Sequence, residues 1–484
     1  MKSALQFSKK DREILKDIYR FARRHKAKLY LVGGALRDLL LDRSRENPDF
    51  DFCLRRGAIS FGRKLARGMK AGFVVLDKEH GACRIVRKIS RKSYTLDFTD
   101  FRGPTLEEDL KHRDFTVNAL ALELEKAVGA ADLSGQFIDP KRGTQDLSAG
   151  IIRAAGKNSF SEDPLRILRL FSFSCVLGFE IEKETLKFAK LERKKLAGVS
   201  GERIREELFK IFDSQDSFKY LSELDEAGIL KIIFPEFKAM SGIGQGPYHH
   251  LDVWQHTLEA VKQLEGVLNE FKNNRQVRDY LNSVISSGRR REALLKLGAL
   301  LHDIGKPLAL RREEGKIKFH GHERMGLDFT EAIALRLKLS NEEIRALRTI
   351  VLWHLRPGYL SDNAELTSRA KFRFFRDTAG EAASILLLSI ADQRATCGPL
   401  ATAQSRRRQE KTALGLLEEY FRKKKEKKPA RLVNGDILMQ KFKLGPSALV
   451  GKVLSELEEL QAIGKIKTKI QALRAAGKFL KRGS

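Results

Sequence analysis

The sequence predicts an α+β protein of several domains, in which a small mixed head is followed by helical segments. Three observations lead to this class. The chain has 484 residues, enough at roughly 100–200 residues per domain for two to four domains. Strand-like runs are confined to the region before about residue 150, and helical periodicity dominates from about residue 159 onward. The predicted divisions are a mixed head at 1–150, a helical neck and body at 151–239, a second helical domain at 248–395 and a basic helical tail at 396–484.

The elements of the head follow one another closely. Residues 8–26 have the periodicity of a helix, Lys28–Val32 predicts a short strand, and Gly33-Gly34 predicts a turn before a second helix in ALRDLLL. Further strands are expected in DFDFCL, in FVVL at 73–76, in CRIV at 83–86 and in YTLDF at 94–98, with a helix near 58–70. We expect the head to end with a helix around 105–124 and a turn in IDPKRGTQDL.

The later segments are typical of helices separated by breaks. Helical periodicity runs through SEDPLRILRLFSFS, GERIREELFKIF and YLSELDEAGIL, and a further helical block extends to about residue 395. The glycine-rich stretch MSGIGQGPY at 240–248 predicts a domain boundary. The tail is expected to be helical and basic, with RKKKEKK at 422–428 and KFLKR close to the end.

Composition and charge limit the classes of function. With 92 Lys and Arg against 63 Asp and Glu, the net charge of +29 favours a polyanionic partner such as nucleic acid. The four cysteines lie far apart, which excludes a disulfide scaffold or a cysteine zinc site and is typical of a reducing compartment. Because the chain has no run of about 18 apolar residues and begins with a charged segment, we expect a cytoplasmic protein that does not associate with membranes.

A pair of aspartates in DFDF is the first candidate for chemistry. Strand alternation places Asp49 and Asp51 on one face, with their Cα atoms about 6.6 Å apart, a spacing that suits divalent metal ions bound to a triphosphate. Asp97, in TLDFTDF, is the candidate third carboxylate on a neighbouring strand. Such a pair taken alone is more often a strand-edge or turn feature. The Gly33-Gly34 turn leaves backbone N–H groups free to face a phosphate, and with the nearby Arg37 it favours a nucleotide site.

Six ordered motifs extend this interpretation: GGALRD, DFD, LDFTDFR, RDFTVNALAL, IDP and EDPLRILR, followed by the neck segment GERIREEL. Their order resembles the class II CCA-adding enzyme and bacterial poly(A) polymerase family of tRNA nucleotidyltransferases. The resemblance implies that Asp49 and Asp51 bind metal, and we expect Asp97 to complete the catalytic group. It implies that the nucleotide is bound by Gly33, Gly34, Arg37, Asp38, Arg113, Asp114, Asn118, Asp163, Arg166 and Arg169. Where the family often has two arginines in RRDFT, this chain has His112 before Arg113.

The resemblance also implies the reaction. The 3′-hydroxyl of tRNA attacks the α-phosphate of CTP or ATP and pyrophosphate leaves, in a two-metal phosphoryl transfer that uses Mg²⁺. Asp163 and Arg166, three residues apart on a helix, would select the base. The carboxylate accepts from the exocyclic amine of cytosine or adenine, and the guanidinium donates to the adjacent ring nitrogen. The local sequence also allows a plain alternative, in which Asp163 caps the helix and Arg166 is solvated.

Histidines point to a second site, because seven of the ten lie between residues 249 and 354. Their order with two aspartates, H…HD…H…H…D, resembles the HD phosphohydrolase superfamily. The resemblance implies a divalent transition metal or Mg²⁺ bound by His256, His302, Asp303, His322, His354 and Asp392. We expect His249, His250 and His320 at the surface or behind the ligands. Two interpretations stay open: a metal-dependent phosphodiesterase or phosphatase acting on RNA 3′ ends or small phosphates, and a structural domain with little turnover.

The leading hypothesis is a CCA-adding enzyme whose partners are tRNA, ATP and CTP. One alternative changes the product to poly(A) or to partial CC or A addition, because the segment from Cys53 to Arg87 differs from the best-known CCA-adding sequences. A second alternative is an HD hydrolase with an RNA-binding N-terminal module, which the intact GG, DxD and RDFT motifs disfavour. Residues 432–466 resemble the C-terminal segment of HD-containing family members, and we expect the basic tail to contact the tRNA backbone without reading bases.

Overall fold

The computed structural model describes residues 5–43, 46–89, 92–362, 365–426 and 430–482. The chain folds into two compact units. The first comprises Met1–Ile211 with Glu226–Ile233, and the second comprises Phe212–Asp225 with Phe234–Ser484. The finer division into four domains stays a prediction. Among the helices of the described residues, none combines the length and the apolar character that crossing a membrane requires.

The first unit begins with the mixed α/β head that the sequence predicts. Its elements are α1 (Lys9–Arg24), β1 (Tyr30–Val32), α2 (Gly34–Leu40), β2 (Asp49–Leu54), α3 (Ala58–Met69), β3 (Gly72–Asp77), β4 (Ala82–Ile89), β5 (Lys92–Asp100), α4 (Leu106–Lys111), β6 (Ala121–Glu123), α5 (Leu124–Gly129) and α6 (Gly143–Ala149). Every strand predicted in this region is confirmed, and in β2, β4 and β5 alternating apolar residues bury one face of the strand. In β2, Phe50 and Phe52 are buried while Asp49 and Asp51 are partly exposed.

Six strands form one sheet in the order β3-β4-β5-β2-β1-β6. Strands β2 and β5 are parallel, and the other neighbouring pairs are antiparallel. On the buried face Phe52 of β2 stacks on Phe98 of β5, with ring centroids 4.8 Å apart. This packing presents the opposite face of β2 and β5, which carries the aspartates, away from the core.

The helix expected around 105–124 is wrong beyond its first turns. Helix α4 ends at Lys111, a 3₁₀ turn occupies Thr116–Asn118, and Ala121–Glu123 forms the edge strand β6. Residues 121–123 pair with β1, with Leu122 opposite Leu31. The segment has good helix propensity, but β1 would otherwise lack a second neighbour, and tertiary pairing overrides local preference.

The turn expected in IDPKRGTQDL is also only partly right, because helix α6 begins inside it at Gly143. Asp139 starts this helix: its carboxylate accepts from the Gly143 N–H at 2.7 Å and from the Thr144 N–H at 2.9 Å. Glycine is required at 143, since a Cβ there would overlap the carbonyl oxygen of Thr116. The side-chain cap replaces backbone acceptors that the first turn of a helix lacks.

The chain continues with helices and a minor strand pair. The elements are β7 (Ile151–Ile152), α7 (Ser159–Glu162), α8 (Leu165–Leu177), β8 (Glu180–Ile181), α9 (Lys183–Glu192), α10 (Gly201–Phe212), α11 (Ser217–Glu226) and α12 (Leu230–Ile233). Strands β7 and β8 pair in parallel. The predicted continuous helix from Ser161 is interrupted at Asp163, whose backbone is extended, with φ −144° and ψ 100°. Asp163 therefore links α7 to α8 and is not on a helix, because the following Pro164 disfavours helical geometry before it.

The second unit is predominantly helical. After a 3₁₀ turn at Pro235–Met240 its elements are α13 (Val253–Glu270), α14 (Arg275–Leu281), β9 (Val284–Ser286), β10 (Arg289–Arg290), α15 (Arg291–Leu301), α16 (Lys306–Ala309), β11 (Arg311–Glu313), β12 (Lys316–Lys318), α17 (His322–Arg336), α18 (Asn341–Trp353), α19 (Arg356–Ser361), α20 (Ser368–Thr378), α21 (Ala382–Ala395), α22 (Ala403–Lys425), α23 (Gly435–Phe442), α24 (Ala448–Ala462) and α25 (Lys469–Arg482). The two hairpins were not predicted. Each turns through a residue and a glycine with positive φ, Ser287-Gly288 and Glu314-Gly315, which suits a two-residue hairpin loop.

The tail helices α23, α24 and α25 share a small apolar core that includes Leu438, Val453 and Ala472. Glu459 of α24 is buried, and its carboxylate accepts from Arg373 of α20 at 2.8 Å. Arg369 and Arg376 of α20 contact the same carboxylate. Three arginines therefore hold one carboxylate between α20 and the tail. Of the predicted basic run at 422–428, Lys427 and Lys428 lie outside the described residues.

Candidate active site and histidine-aspartate centre

The three predicted carboxylates of the head come together on one face of the sheet. The parallel register of β2 and β5 sets Asp51 directly opposite Asp97. Asp49 lies two residues before Asp51 on the same face, and one carboxylate oxygen from each of the three residues lies within 4.8 Å of the others. Oxygen donors at this separation suit Mg²⁺, which prefers carboxylate and water ligands.

Arg84 of β4 is a member of this group that sequence reasoning missed. It lies opposite Asp97 in the antiparallel register of β4 and β5, and its Nε and Nη2 donate to the two Asp97 oxygens at 2.8 and 2.7 Å. The hydrogen bond to Asp97 is the main cause of the raised pKa of Arg84, and the charges of Asp49 and Asp51 add to it. This fork fixes the Asp97 carboxylate beside the aspartate pair.

The Gly33-Gly34 turn approaches the carboxylates closely. Gly33 has φ +74°, and a Cβ at this position would lie 3.2 Å from Asp51 Oδ2. Glycine therefore serves both the backbone conformation and the approach to the aspartate. Arg37, one turn into α2, is buried; its Nε and Nη2 donate to Asp38 Oδ1 at 2.9 and 2.7 Å. Asp38 lies behind Arg37 and lines a separate, smaller cavity, so it contacts the arginine and not the main cavity.

Asp114 is the centre of a hydrogen-bonded chain in the predicted RDFTVNALAL motif. Its Oδ1 accepts from Asn118 Nδ2 at 3.0 Å, and Asn118 Oδ1 accepts from Arg37 Nη1 at 2.7 Å. Its Oδ2 accepts from Arg169 Nη2 at 2.7 Å and Nε at 3.2 Å. Burial alone would raise the pKa of Asp114, but the charge of Arg169 and these hydrogen bonds lower it below its ordinary value. This series of hydrogen bonds links α2 to α8 through the 3₁₀ turn.

Two further side chains, those of Arg113 and Phe173, lie beside this hydrogen-bonded network. Arg113 donates through Nη2 to Asp109 Oδ2 at 3.1 Å; burial lowers its pKa, but the charges of Asp109 and Asp51 give a net increase. The ring of Phe173 lies between two guanidiniums, with Arg37 at 5.2 Å and Arg169 at 4.9 Å from its centroid. Phe173 was missed by sequence reasoning, although it follows Arg169 by one helical turn in α8 and shares its face.

Asp163 and Arg166 both border the same cavity, but not on one helical face. Asp163 Oδ1 accepts from the Leu165 N–H at 3.2 Å, and Oδ2 accepts from Arg203 Nη2 at 2.8 Å. Arg166 is buried: its Nη1 donates to Ser159 Oγ at 3.1 Å, and its Nη2 donates to the carbonyl oxygen of His112 at 2.7 Å. Arg166 is therefore not a solvated side chain, and burial lowers its pKa.

A cavity of about 1130 Å³ joins these groups within the first unit. Among the predicted residues, its lining contains Gly33, Gly34, Arg37, Asp49, Asp51, Arg113, Asp114, Asn118, Asp163, Arg166 and Arg169. The cavity has the carboxylate pair at one part of its wall and a set of arginines at another. A ligand with a bound cation and several phosphates matches this distribution of charge.

The six predicted HD residues also come together, in the second unit. His256, His302 and Asp392 form one group of three, and Asp303, His322 and His354 form another. Asp303 lies between the two groups: its Oδ2 is 3.2 Å from His302 Nε2, and its Oδ1 is 3.2 Å from His322 Nε2. All six side chains come from α13, α17 and α21 or from the residues that directly follow α15 and α18.

Backbone carbonyls set the tautomers of three of these histidines. Nδ1 of His302, His322 and His354 lies 2.7–2.8 Å from the carbonyl oxygen three residues earlier in the chain. Because a carbonyl only accepts, each Nδ1 carries a proton, which leaves Nε2 as the ring nitrogen that faces the centre. Burial and the neighbouring His302 and His322 lower the pKa of His354 to about 3. Burial alone would raise the pKa of Asp303, but the charges of His302 and Lys306 hold it well below its ordinary value.

The buried atoms at this centre suit a metal ion. His302 Nε2 and Asp303 Oδ2 are buried 3.2 Å apart, and Lys306 Nζ lies 2.6 Å from Asp303 Oδ2. The ligand atoms of each group of three lie within 4.8 Å of one another. Imidazole nitrogen and carboxylate oxygen are good ligands for divalent first-row metals. His249, expected at the surface or behind the ligands, packs edge-on against the His256 ring at 4.7 Å and lines an adjacent cavity of about 260 Å³ with Asp303 and Asp392. His250 and His320 are exposed, as expected.

Comparison with known proteins agrees with this geometry. Family models match at three places: the Poly A polymerase head domain at residues 29–153, a probable RNA and SrmB-binding site of polymerase A at 178–240, and the HD domain at 253–393. The A-adding tRNA nucleotidyltransferase of Deinococcus radiodurans is 31% identical over 443 residues, covering 90% of this chain and 91% of the relative. This chain belongs to the tRNA nucleotidyltransferase family.

Other tRNA nucleotidyltransferases match over most of the chain. The CC-adding enzyme of Thermus thermophilus is 29% identical over 440 residues, covering 89% of both chains. The solved structure of a Thermotoga maritima CCA-adding enzyme complexed with tRNA has a TM-score of 0.63 at 21% identity, covering 98% of this chain and 97% of that one. A CCA-adding enzyme in its apo form I has a TM-score of 0.65 at 21% identity, covering 97% and 94%. These structures share the fold of this nucleotidyltransferase.

Proposed function

We propose that this nucleotidyltransferase adds CCA to the 3′ end of tRNA, using CTP and ATP. The observation that carries the proposal is the sheet register that brings Asp49, Asp51 and Asp97 within 4.8 Å of one another beside the large cavity. At about 1130 Å³ the cavity exceeds the roughly 300–1,000 Å³ of typical small-ligand pockets, which leaves room for a nucleotide and an RNA end. The net charge of +29 supports a polyanionic substrate.

Asp49 and Asp51 are the residues that we propose hold Mg²⁺, with Asp97 supporting them from β5. When bound, Mg²⁺ neutralises charge on the triphosphate and lowers the pKa of the attacking 3′-hydroxyl. The protein holds the carboxylates that would bind Mg²⁺ in place. Arg84 donates hydrogen bonds to both Asp97 oxygens, and the parallel strand pairing fixes Asp51 beside Asp97. The chain thus presents a rigid set of anionic oxygens at the cavity wall.

We propose that the phosphates and the ribose of the nucleotide lie along the part of the cavity wall that carries the glycine turn and the arginines. Gly33 and Gly34 allow close approach of the backbone, and Arg37 and Arg113 supply positive charge. Hydrogen bonds from Arg37 to Asn118, from Asn118 to Asp114 and from Arg169 to Asp114 fix the positions of the two arginines. In this proposal Asp114 and Asn118 face the ribose. Fixed donors of this kind stabilise developing negative charge without having to reorient during the reaction.

Base selection is assigned in this proposal to Asp163, with Arg166 and Arg169 beside it. A carboxylate accepts hydrogen bonds only, so Asp163 favours the exocyclic amines of cytosine and adenine over the carbonyls of uracil and guanine. Asp163→Ala should lower discrimination of CTP over UTP and of ATP over GTP by one to two orders of magnitude, or about 1–3 kcal/mol. If Asp163 only supports the start of α8, the variant should keep full selectivity and lose about 1 kcal/mol of stability.

The product is tested by supplying tRNAs that end in the discriminator base, in C or in CC with each labelled nucleotide separately. Complete CCA synthesis predicts C addition to the first two substrates and A addition to the third. The long match to an A-adding relative favours A addition alone as the second candidate, which predicts labelling of only the CC-ended tRNA, by ATP. Repeated addition of A would instead indicate a poly(A) polymerase.

Asp49→Ala and Asp51→Ala test the chemical centre. Each should abolish addition while tRNA binding persists, because these carboxylates hold metal and not RNA. Asp17→Ala is a matched control, since Asp17 is an exposed aspartate of α1 with surface partners. Near-wild-type addition by either active-site variant would refute the assignment.

For the second unit we propose a divalent metal centre that hydrolyses phosphate esters, with RNA 3′ ends or small phosphates as substrates. Two groups of three possible ligands, which approach each other to 3.2 Å between His302 and Asp303, support this proposal, and their six residues would hold the metal. Metal content and hydrolysis of bis(p-nitrophenyl) phosphate should both be lost in His302→Ala and Asp303→Ala and kept in His320→Ala. Bound metal without hydrolysis would favour the structural interpretation, and loss of nucleotide addition in a folded His302 variant would show that the two activities are coupled. A cytoplasmic location is part of the proposal, supported by four cysteines that are all free.

A further inference from the structure

The small cavity beside the histidine-aspartate centre is lined by residues from two parts of the second unit. Its volume is about 260 Å³, and the proposed metal ligands Asp303 and Asp392 form part of its wall. The match to the HD family model ends at residue 393, whereas the wall of the cavity continues from Thr396 to Arg406. The first turns of α22, which belong to the predicted basic tail, therefore border the centre.

The glycine-rich segment at 240–248 contacts the loop that leads into α22. The Gly398 N–H donates to the carbonyl oxygen of Tyr248 at 2.8 Å, and a Cβ at position 398 would overlap the same carbonyl group. Glycine therefore allows the two backbones to approach each other. In the same segment, Gln245 Oε1 accepts from Lys306 Nζ at 2.6 Å. The segment thus joins the start of α22 to a residue of the centre.

Lys306 and Arg406 both line the cavity, but the protein engages their charges to different extents. The ammonium group of Lys306 is buried and lies 2.6 Å from Asp303 Oδ2. Arg406 has neutral partners: its Nη1 donates to the carbonyl oxygen of Thr396 at 3.3 Å and lies 3.2 Å from Cys397 Sγ. Within the described part of the chain, no carboxylate pairs with Arg406. Because a guanidinium has five N–H donors, most of them remain for a ligand.

We propose that Arg406 binds the phosphate of a phosphomonoester at the second centre, an inference that rests on the hydrolase proposed above. A phosphomonoester carries about −1.5 to −2 charges at pH 7 and three terminal oxygens, which suits a guanidinium beside a metal centre. Because the cavity is smaller than the roughly 300–1,000 Å³ of typical ligand pockets, it accommodates one end group and not a length of RNA.

Gln409 supports a ligand at this place. It lies one turn after Arg406 on α22 and lines the same cavity. Its amide oxygen is buried, and among the described residues no donor lies within hydrogen-bond distance of it. A buried acceptor without a donor is costly, and a hydroxyl of the bound ester would satisfy it.

The affinity for inorganic phosphate and the KM for p-nitrophenyl phosphate measure the role of Arg406 on the full, metal-loaded chain. Arg406→Met should weaken both by about 10–100-fold, the range expected for loss of a hydrogen bond to a charged group. The kcat should change less, because the phosphate is charged both before and during the reaction. Arg406→Lys should restore part of the loss. Arg407→Met, at an exposed neighbour, is the matched control and should keep both values.

Metal content separates this binding role from a structural one. Arg406 donates to none of the six proposed ligands, so Arg406→Met should hold as much metal as the wild type by mass spectrometry. Loss of metal in Arg406→Met, or a phosphate affinity equal to that of Arg407→Met, would overturn the inference. Failure of the proposed hydrolysis is a distinct result, in which the wild type holds metal and cleaves no ester. Weaker phosphate binding by Arg406→Met would then still support the assigned role.

Competition against p-nitrophenyl phosphate identifies the source of the phosphate. AMP and a short RNA with a 3′-phosphate both carry the proposed end group, whereas the same RNA with a 3′-hydroxyl does not. The better competitor of the first two indicates a small phosphate or an RNA end, and it should compete about 10–100-fold less well in Arg406→Met. Equal competition by the 3′-hydroxyl RNA would show binding through the chain backbone and would overturn the inference.

Discussion

The Asp114 network makes a quantitative test of how the head holds its arginines. Replacing Asp114 with Asn keeps the shape of the side chain but removes its charge and turns one acceptor into a donor. The contacts at risk are the two hydrogen bonds from Arg169, at 2.7 and 3.2 Å, and one of the bonds from Asn118 or the Phe115 N–H, at 3.0 and 2.8 Å.

The magnitude follows from burial. The Asp114 side chain is 10% exposed and that of Arg169 is 29% exposed, so the pair is largely shielded from water. Breaking a buried ion pair costs about 3–5 kcal/mol, and the partial exposure of Arg169 places this pair at the lower end, about 3 kcal/mol. For a unit of about 200 residues that corresponds to a decrease of about 6–12 °C in Tm.

Calorimetry of the wild type and of Asp114→Asn at pH 7 measures this difference, with Asp17→Asn as an exposed control expected to change stability by less than about 0.5 kcal/mol. The pKa of Asp114 is lowered by folding, so its stabilisation is complete above the ordinary aspartate value of about 4 and is lost as the pH falls below it. The difference in the free energy of unfolding between the wild type and Asp114→Asn should therefore become smaller in acid. The reasoning would be refuted if Asp114→Asn were no less stable than Asp17→Asn, or if the difference in stability between the wild type and Asp114→Asn increased below pH 4.

Three further outcomes are expected. Gly305→Ala should lower the metal content of the second unit, measured by mass spectrometry, without loss of nucleotide addition, because a Cβ there would overlap the carbonyl oxygen of His322; unchanged metal content would contradict this. Glu459→Gln should speed hydrogen exchange in α23–α25, because three arginines of α20 lose the charge of the buried carboxylate that they share, at a cost of about 1–3 kcal/mol. Glu458→Gln, at the surface, should not speed exchange. Binding of tRNA should weaken with salt by about −0.7 to −0.9 in log–log slope per phosphate contact, and a flat dependence would contradict the electrostatic role of the basic chain.

Local pattern was sufficient for much of the head and for the two candidate centres. Alternation in DFDF is enough to put both aspartates on one side of a strand, because side chains of a strand alternate whatever its neighbours are. The clustering of histidines in the second half predicted a joint centre, and the six HD residues do come together. The motif order indicated the family to which the chain belongs.

Tertiary pairing decided what local pattern could not. Residues 121–123 have helical propensity yet form β6, since pairing with β1 and the burial of Ala121 and Leu122 override the local preference. Helix α6 arises in a turn-rich segment because the Asp139 side chain supplies its first acceptors. Asp163 leaves the helical face that its spacing predicted because Pro164 follows it.

The same limit applies to the candidate site. The sequence by itself determined which carboxylates, arginines and histidines are available, since residue type and local period are written in it. Only the tertiary structure decided that Arg84 donates to Asp97, that Phe173 lies between two guanidiniums and that Arg203 donates to Asp163. These contacts depend on strand register and helix packing between segments distant in the chain, and such long-range choices are set by the burial of the whole core and not by any local period.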